Sequence, residues 1–148
     1  MSNREWRDSD DLFHRDGGPA VITYEGDEYW YQHGKLHRTD GPARISSLGI
    51  EYWYQNGNLH RENGPAIDNA EQSQHWYLNG KPHRIGGPAV FDDEGREEYW
   101  VNGLCHRLDG PAVTDEDGNT EWWVNGVQVD QLTVLLLQHQ TQSAKAVL

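Results

Sequence analysis

The chain of 148 residues carries a formal net charge of −12, from 24 acidic and 12 basic side chains, and its mean hydropathy is −0.91. This charge argues against a nucleic-acid backbone as a partner for the chain as a whole, and the single Cys105 excludes an internal disulfide framework. Low hydropathy alone is typical of disorder, but seven Trp and seven Tyr supply large side chains for burial. We therefore expect a folded, aromatic-rich protein.

Residues 1–13 precede a tandem repeat and are predicted to form an N-terminal cap. The segment from Trp6 to Phe13 looks like a degenerate half copy of the repeat, which would supply the edge strand that a repeat array needs. The repeat itself is marked by a His-Arg pair at an interval of 23 residues, at His14, His37, His60, His83 and His106. Five copies thus occupy residues 14–128. A motif present in every copy indicates architecture rather than one active site.

Each copy opens with a corner and a first turn. Gly-Pro-Ala follows His-Arg, and there Gly allows a tight bend while Pro fixes φ and removes a backbone donor. A short strand such as Ala20 to Tyr24 is expected next, and four of the five copies then have a Gly-containing turn such as Glu25-Gly26-Asp27. The third copy has Glu71-Gln72-Ser73 instead, where we expect a looser turn.

The next segment of each copy carries adjacent aromatic residues and ends at Asn-Gly, or at His33-Gly34 in the first copy. Aromatic residues favour a pleated strand, and Asn-Gly is the strongest short hairpin signal, so each copy is predicted to be a β-hairpin. Side chains alternate across a strand, which gives two rows. The first row is Trp30, Trp53, Trp76, Tyr99 and Trp122, and the second is Tyr31, Tyr54, Tyr77, Trp100 and Trp123. We predict that the first row is the core.

The 23-residue spacing, the Tyr-Trp-Tyr-x-Asn-Gly-x-x-His segment and the predicted hairpins resemble MORN repeats, in particular the bacterial MORN-variant class, over residues 14–128. The fold expected is all-β, a tandem array of five hairpins forming an elongated, twisted antiparallel sheet or solenoid with a short C-terminal helical cap. The resemblance implies a bacterial or phage origin and, with no signal-peptide pattern at the start, the cytoplasm of a bacterial host cell. The His-Arg-x-x-Gly-Pro-Ala element departs from the usual MORN core, so we do not carry over the lipid-binding role proposed for some members.

The His-Arg pair is predicted to be a joint between copies rather than a catalytic or metal site. The copies offer no Ser, Cys or Thr nucleophile at a matching position, so we expect neither an enzyme nor a cofactor. Histidines one copy apart should lie roughly 9–10 Å from each other, too far to share a zinc ion, and we expect no metal. Arg is expected to stack on the first row and His to donate to a corner carbonyl. The carboxylates expected to pair with Arg are Asp16, Asp40, Glu62 and Asp109.

Residues 129–148 are predicted to form a C-terminal helical cap or tail. Asp130 can act as the N-cap of a helix from about Gln131 to Gln140. The run from Val134 to Leu137 is more apolar than one helix face requires, so the helix either packs on the last hairpin or, alternatively, mediates dimerisation. The segment is too short and too polar to span a membrane.

The position before the first row shares a face with the second row and changes from Tyr29 and Tyr52 to His75, Glu98 and Glu121, as expected of a partly exposed face. This face and an acidic first turn give the candidate partner-binding residues. They are Tyr29, Tyr31, Tyr52, Tyr54, Tyr77, Trp100, Asp92, Asp93 and Glu94.

We predict a non-enzymatic protein that binds another protein and occludes its surface, as an inhibitor or antitoxin-like factor such as a phage anti-defence protein. One alternative is a carbohydrate-binding module that uses the aromatic rows, and another is an acidic mimic of a nucleic acid. Direct binding to nucleic acid or to a membrane is not expected. A homodimer through the C-terminal helix or an aromatic face is a further alternative.

Overall fold

The computed structural model describes residues 2–70 and 72–145, which fall into two compact units, Met1–Lys81 and Pro82–Leu148. Short antiparallel strands and a single C-terminal helix make up the described secondary structure, which confirms the predicted fold class. No helix among the described residues is long and apolar enough to cross a membrane. Glu71, in the turn predicted to be looser, lies outside the described residues, while its neighbour Ala70 has a left-handed φ of 50°.

The first unit consists of short strands in chain order. They are β1 Arg4–Glu5, β2 Val21–Ile22, β3 Glu28–Tyr29, β4 Tyr31–Gln32, β5 Lys35–Leu36, β6 Arg44–Ile45, β7 Glu51–Tyr52, β8 Tyr54–Gln55, β9 Asn58–Leu59, β10 Ile67–Asn69, β11 Ser73–His75 and β12 Tyr77–Leu78, with β13 Lys81–Pro82 at the unit boundary. The main sheet of this unit has the antiparallel order β1-β2-β3-β6-β7-β10-β11. The pairs β4-β5 and β8-β9 form separate two-stranded hairpins.

Each aromatic segment of the first unit is divided between the main sheet and its own hairpin. Trp30 lies between β3 and β4; its N–H donates to the carbonyl of Ala43 (2.7 Å), and its own carbonyl accepts the N–H of His37 (3.0 Å). The aromatic segment is therefore not one continuous strand, because the backbone changes partner at the tryptophan. The hairpin turns are confirmed, with His33 and Gly34 at φ of 46° and 75°, as a two-residue turn of this kind requires.

The second unit repeats this plan. Its strands are β14 Val90–Asp92, β15 Glu97–Glu98, β16 Trp100–Val101, β17 Leu104–Cys105, β18 Val113–Thr114, β19 Thr120–Val124 and β20 Val127–Val129, followed by α1 Gln131–Lys145. The sheet of this unit has the order β14-β15-β18-β19-β20, and β16 pairs with β17 in a separate hairpin. In the last copy the aromatic segment is one unbroken strand, β19.

Helix α1 begins as predicted and extends further than predicted. The Asp130 carboxylate accepts the backbone N–H of Thr133 at 2.7 Å, which confirms the N-cap. Val134 is fully buried, and the Gln138 amide donates to the carbonyl of Leu108, so the helix packs on its own unit. Leu132, Leu135 and Leu136 are exposed in this chain, and the dimerisation alternative stays a prediction.

The most completely buried residues of the repeats are alanines rather than aromatics. The Ala of each Gly-Pro-Ala corner is 0% exposed: Ala20, Ala43, Ala66, Ala89 and Ala112. Both aromatic rows are half-buried, so the prediction that the first row forms the buried core is wrong in that respect. The backbone of the neighbouring aromatic segment approaches each alanine closely, as in the hydrogen bond from Trp53 N–H to the Ala66 carbonyl (2.7 Å). The space left beside the alanine is filled by its methyl group.

Candidate functional site

The arginines of the His-Arg pairs at positions 15, 38, 61 and 107 form the predicted joint. Arg61 lies over the Trp53 ring with its Cζ 3.9 Å from the ring centroid, and Nη1 donates to the Pro65 carbonyl at 3.1 Å. Arg15, Arg38 and Arg107 make the same two contacts with their own aromatic ring and corner carbonyl. The stacking predicted for these arginines is thereby confirmed.

The predicted carboxylate partners divide into two kinds. Arg38 bonds Asp40 at 2.9 Å and Arg107 bonds Asp109 at 2.7 Å, as predicted. These hydrogen bonds hold the pKa of both carboxyls below the ordinary value. Asp16 and Glu62 instead lie beside the imidazoles of His14 (3.4 Å) and His60 (4.0 Å).

The histidines act as acceptors, which corrects the prediction that they donate to a corner carbonyl. Nδ1 of His37 accepts the backbone N–H of Asn56 at 3.1 Å, and His60 accepts that of Asn79 at 3.2 Å. His14, His83 and His106 do the same for the turn residue of their own copy. A backbone N–H can only donate, so Nδ1 is the acceptor in each of these bonds. The side chains of the His-Arg pairs thus make structural contacts within the repeat array.

A cluster of tyrosines around one arginine is the most distinctive group of candidate residues in the first unit. The register of the sheet places Tyr29 opposite Arg44, and Arg44 opposite Tyr52. Directly opposed residues of antiparallel strands share a face. Tyr31 and Tyr54 follow two residues after Tyr29 and Tyr52. We call these five residues the tyrosine–arginine cluster.

Arg44 lies between two rings. Its Cζ is 4.5 Å from the Tyr52 ring centroid and 5.4 Å from that of Tyr29, and Nη2 is 3.5 Å from the Asp27 carboxylate. Among the described residues, its Nε is a buried nitrogen without a hydrogen-bond partner. The rings of Tyr29 and Tyr31 are stacked, with centroids 6.3 Å apart. A guanidinium framed by aromatic faces results.

The hydroxyl groups of Tyr31 and Tyr54 are neutral. Burial raises the pKa of both Tyr31 and Tyr54 above the ordinary value, so both phenols remain protonated at physiological pH. A protonated phenol both donates and accepts a hydrogen bond. The cluster therefore offers one positive charge, neutral hydroxyls and half-buried aromatic surface, all on described residues of one unit.

The structure brings together Tyr29, Tyr31, Tyr52 and Tyr54, and it adds Arg44, which was not among the residues predicted from the sequence. The signal was present, because the equivalent position of the other copies holds an aliphatic residue: Val21, Ile67, Val90 and Val113. Tyr77 is half-buried on β12, where its backbone carbonyl accepts the N–H of Arg61 at 3.1 Å. Tyr77 has no described contact that joins it to the cluster.

In the second unit, the predicted acidic residues lie together in one turn. Asp92 accepts the N–H of Arg96 at 3.0 Å, while Asp93 and Glu94 are exposed. Repulsion from Glu116 and Asp92 raises the pKa of Glu94, which shows that carboxylates of two neighbouring turns crowd each other. The alternative hypothesis, that the chain mimics a nucleic acid, concerns the carboxylates of this turn.

Trp100 lies in the second unit beside a groove of about 400 Å³ that Trp123, Leu104 and Val113 also line. The indole N–H of Trp100 donates to Glu98 at 2.8 Å, and that of Trp123 donates to Glu121 at 2.7 Å. The groove therefore combines two half-buried indoles with two carboxylates. Cys105 also borders it, but this side chain is only 4% exposed, and burial raises the pKa of its thiol to about 11.

Comparisons with known proteins add no relative: the chain matches no protein-family model, no curated protein and no solved structure. The resemblance to MORN repeats therefore stays a prediction.

Proposed function

We propose that the chain is a non-enzymatic protein-binding repeat protein whose main contact surface is the tyrosine–arginine cluster of the first unit. The observation that carries this proposal is the composition of the cluster. Tyrosine and arginine are enriched among the few residues that dominate binding energy at protein interfaces. Here two tyrosine rings flank one arginine and two further tyrosines lie next to them in the sequence, all of them half-buried.

The contrast between constant and variable positions supports the same proposal. The His-Arg pair repeats in every copy, whereas the face that holds Tyr29, Arg44 and Tyr52 changes its chemistry to Ile67 and His75 further along the first unit. Repeat proteins commonly combine a constant framework with a variable binding surface. Side chains on this face could therefore serve recognition without any change to the framework.

We further propose that binding occludes the partner's surface, so that the chain acts as an inhibitor or antitoxin-like factor. The net charge of −12 favours a partner with a basic surface, because complementary charge accelerates association and excludes wrong partners. The bacterial or phage setting of this role rests on the resemblance to MORN-variant repeats.

The test is affinity capture from bacterial lysate with the wild-type chain, Tyr54→Ala and Gln55→Ala. Gln55 is the next residue of β8 and is also half-buried, but its side chain points to the opposite face, so it is a matched control. We expect wild type and Gln55→Ala to recover the same stoichiometric partner and Tyr54→Ala to lose it, with all three chains folded by circular dichroism. A partner retained equally by Tyr54→Ala would refute the role of the cluster, and no stoichiometric partner for any chain would refute the proposed function.

The groove of the second unit favours carbohydrate binding as a second candidate function. Indole faces stack on sugar rings, and the carboxylates of Glu98 and Glu121 can accept hydrogen bonds from hydroxyl groups. A glycan array with wild type and Trp123→Ala tests it. Binding that Trp123→Ala abolishes and Tyr54→Ala retains would favour this function over the first.

A further inference from the structure

The hairpin turn of the first copy carries a histidine where the other four copies carry asparagine. His33 stands in the position of Asn56, Asn79, Asn102 and Asn125. Its φ of 46° is close to the 50–52° of those asparagines, so the backbone of the turn is the same. Asparagine tolerates the left-handed region better than most residues. The histidine therefore adds an imidazole without changing the fold.

In the first unit, this imidazole lies close to two other side chains of residue types that can ligate a metal ion. Nδ1 of His33 lies 2.8 Å from Oδ2 of Asp8, and the ring centroids of His33 and His14 are 4.4 Å apart. Asp8, His14 and His33 can each present one ligand atom such that the three atoms lie within 4.8 Å of one another. Histidines of the His-Arg pairs in neighbouring copies should lie too far from each other to share an ion, whereas His14 and His33 belong to the same copy.

Two of the three side chains are held in place by the backbone. Oδ1 of Asp8 accepts the N–H groups of Asp10 and Leu12, each at 3.0 Å, which leaves Oδ2 directed at His33. His14 accepts the backbone N–H of His33 at 3.2 Å, and its Nε2 is 3.4 Å from Asp16. Asp8 and His14 are only 11% and 20% exposed, while His33 is 70% exposed. The site thus has an inner side shielded from water and an outer side open to it.

We propose that Asp8, His14 and His33 bind one divalent transition-metal ion of the zinc type. Two imidazoles and a carboxylate are zinc ligands at about 2.0–2.2 Å, and a tetrahedral ion with such bonds separates its ligand atoms by about 3.3 Å. To reach that spacing, the Asp8–His33 pair has to open slightly and His14 has to approach. His14 also has to release the backbone N–H of His33, because a neutral imidazole has only one nitrogen with a free lone pair. A water molecule on the exposed side of His33 completes four-coordination. The ion would tie the N-terminal cap to the first copy.

The competing explanation is that His33 and Asp8 form only an ion pair, and conservative substitutions distinguish the two. His33→Asn installs the residue that the other copies use in this turn. Asp8→Asn keeps an oxygen for the N–H groups of Asp10 and Leu12 but removes the carboxylate. Asn56→His is the matched control, because it places an imidazole in the same turn of the next copy, beside His37 but without Asp8.

The experiment is isothermal titration of the full chain with zinc chloride, together with thermal unfolding with and without zinc. Wild type is expected to bind one equivalent and to unfold at a higher temperature with zinc, because a ligand that binds only the folded chain stabilises it. His33→Asn and Asp8→Asn should each bind at least about tenfold more weakly and lose the thermal shift, an effect comparable to or larger than that of losing a supporting residue. Asn56→His should bind one equivalent, as wild type does. Equal zinc binding by wild type and His33→Asn, or no binding by wild type, would overturn the proposal.

Discussion

At the scale of single residues, the corner glycine and the joint arginine depend on each other. A Cβ built on Gly64 would lie 2.9 Å from Cζ of Arg61, and one on Gly41 would lie 2.6 Å from Cζ of Arg38. Neither glycine has a positive φ. The glycine of Gly-Pro-Ala is therefore required by the guanidinium that passes over it, rather than by the backbone conformation.

Gly64→Ala should destabilise the wild-type chain by about 1–2 kcal/mol, because the methyl group displaces Arg61 from Trp53 and from the Pro65 carbonyl. In an Arg61→Ala background the same substitution should cost about 0.5 kcal/mol or less. Urea unfolding of the four proteins of this double-mutant cycle measures the coupling. Additive effects would show that Gly64 is needed for a reason other than Arg61.

Cys105 gives a second residue-scale prediction. Its thiol is buried and its pKa is about 11, so the nucleophilic thiolate is scarce at pH 8 and reagents have little access to it. The folded chain should react with a disulfide reagent at least about a hundredfold more slowly than the chain in denaturant. Absorbance of the released thiolate follows the reaction. Comparable rates in the two states would contradict the buried placement.

At the scale of elements, Asp27 connects the first turn of copy one to that of copy two. Its carboxylate accepts the N–H of Ser47 at 2.7 Å and the hydroxyl of Tyr29 at 3.3 Å, and it pairs with Arg44. The bond from Ser47 is the chief reason that the pKa of Asp27 lies below its ordinary value of 3.8. The ionised carboxylate therefore favours the folded state.

The pH dependence follows from that direction. A carboxyl whose pKa is lower in the folded than in the unfolded chain stabilises the fold above the unfolded value, and this contribution is lost as the pH falls through the folded value. Wild type should thus be more stable than Asp27→Asn at about pH 6, and the difference should shrink towards about pH 2. Urea unfolding at both pH values checks this. A difference that stays constant or grows on acidification would contradict it.

At the scale of the whole molecule, the features that can be predicted from the sequence are those that depend on local chemistry. The hairpin turns, the stacked arginines and the N-cap at Asp130 follow from patterns that local chemistry explains. The break at Trp30 could not be predicted, because it depends on a backbone bond to Ala43 in the next copy. The place of Arg44 between two tyrosines depends on strand register, and the His33–Asp8 contact depends on the course of the N-terminal segment.

The central claim is that the joints build the fold while the tyrosine–arginine cluster binds the partner. Titration of the captured partner into purified Arg61→Ala and Tyr54→Ala, at a temperature where both are folded, tests it most directly. The account predicts that Arg61→Ala lowers the free energy of unfolding but changes the dissociation constant by less than about twofold, whereas Tyr54→Ala weakens binding by at least about tenfold. Weakened binding by Arg61→Ala with full affinity in Tyr54→Ala would contradict it.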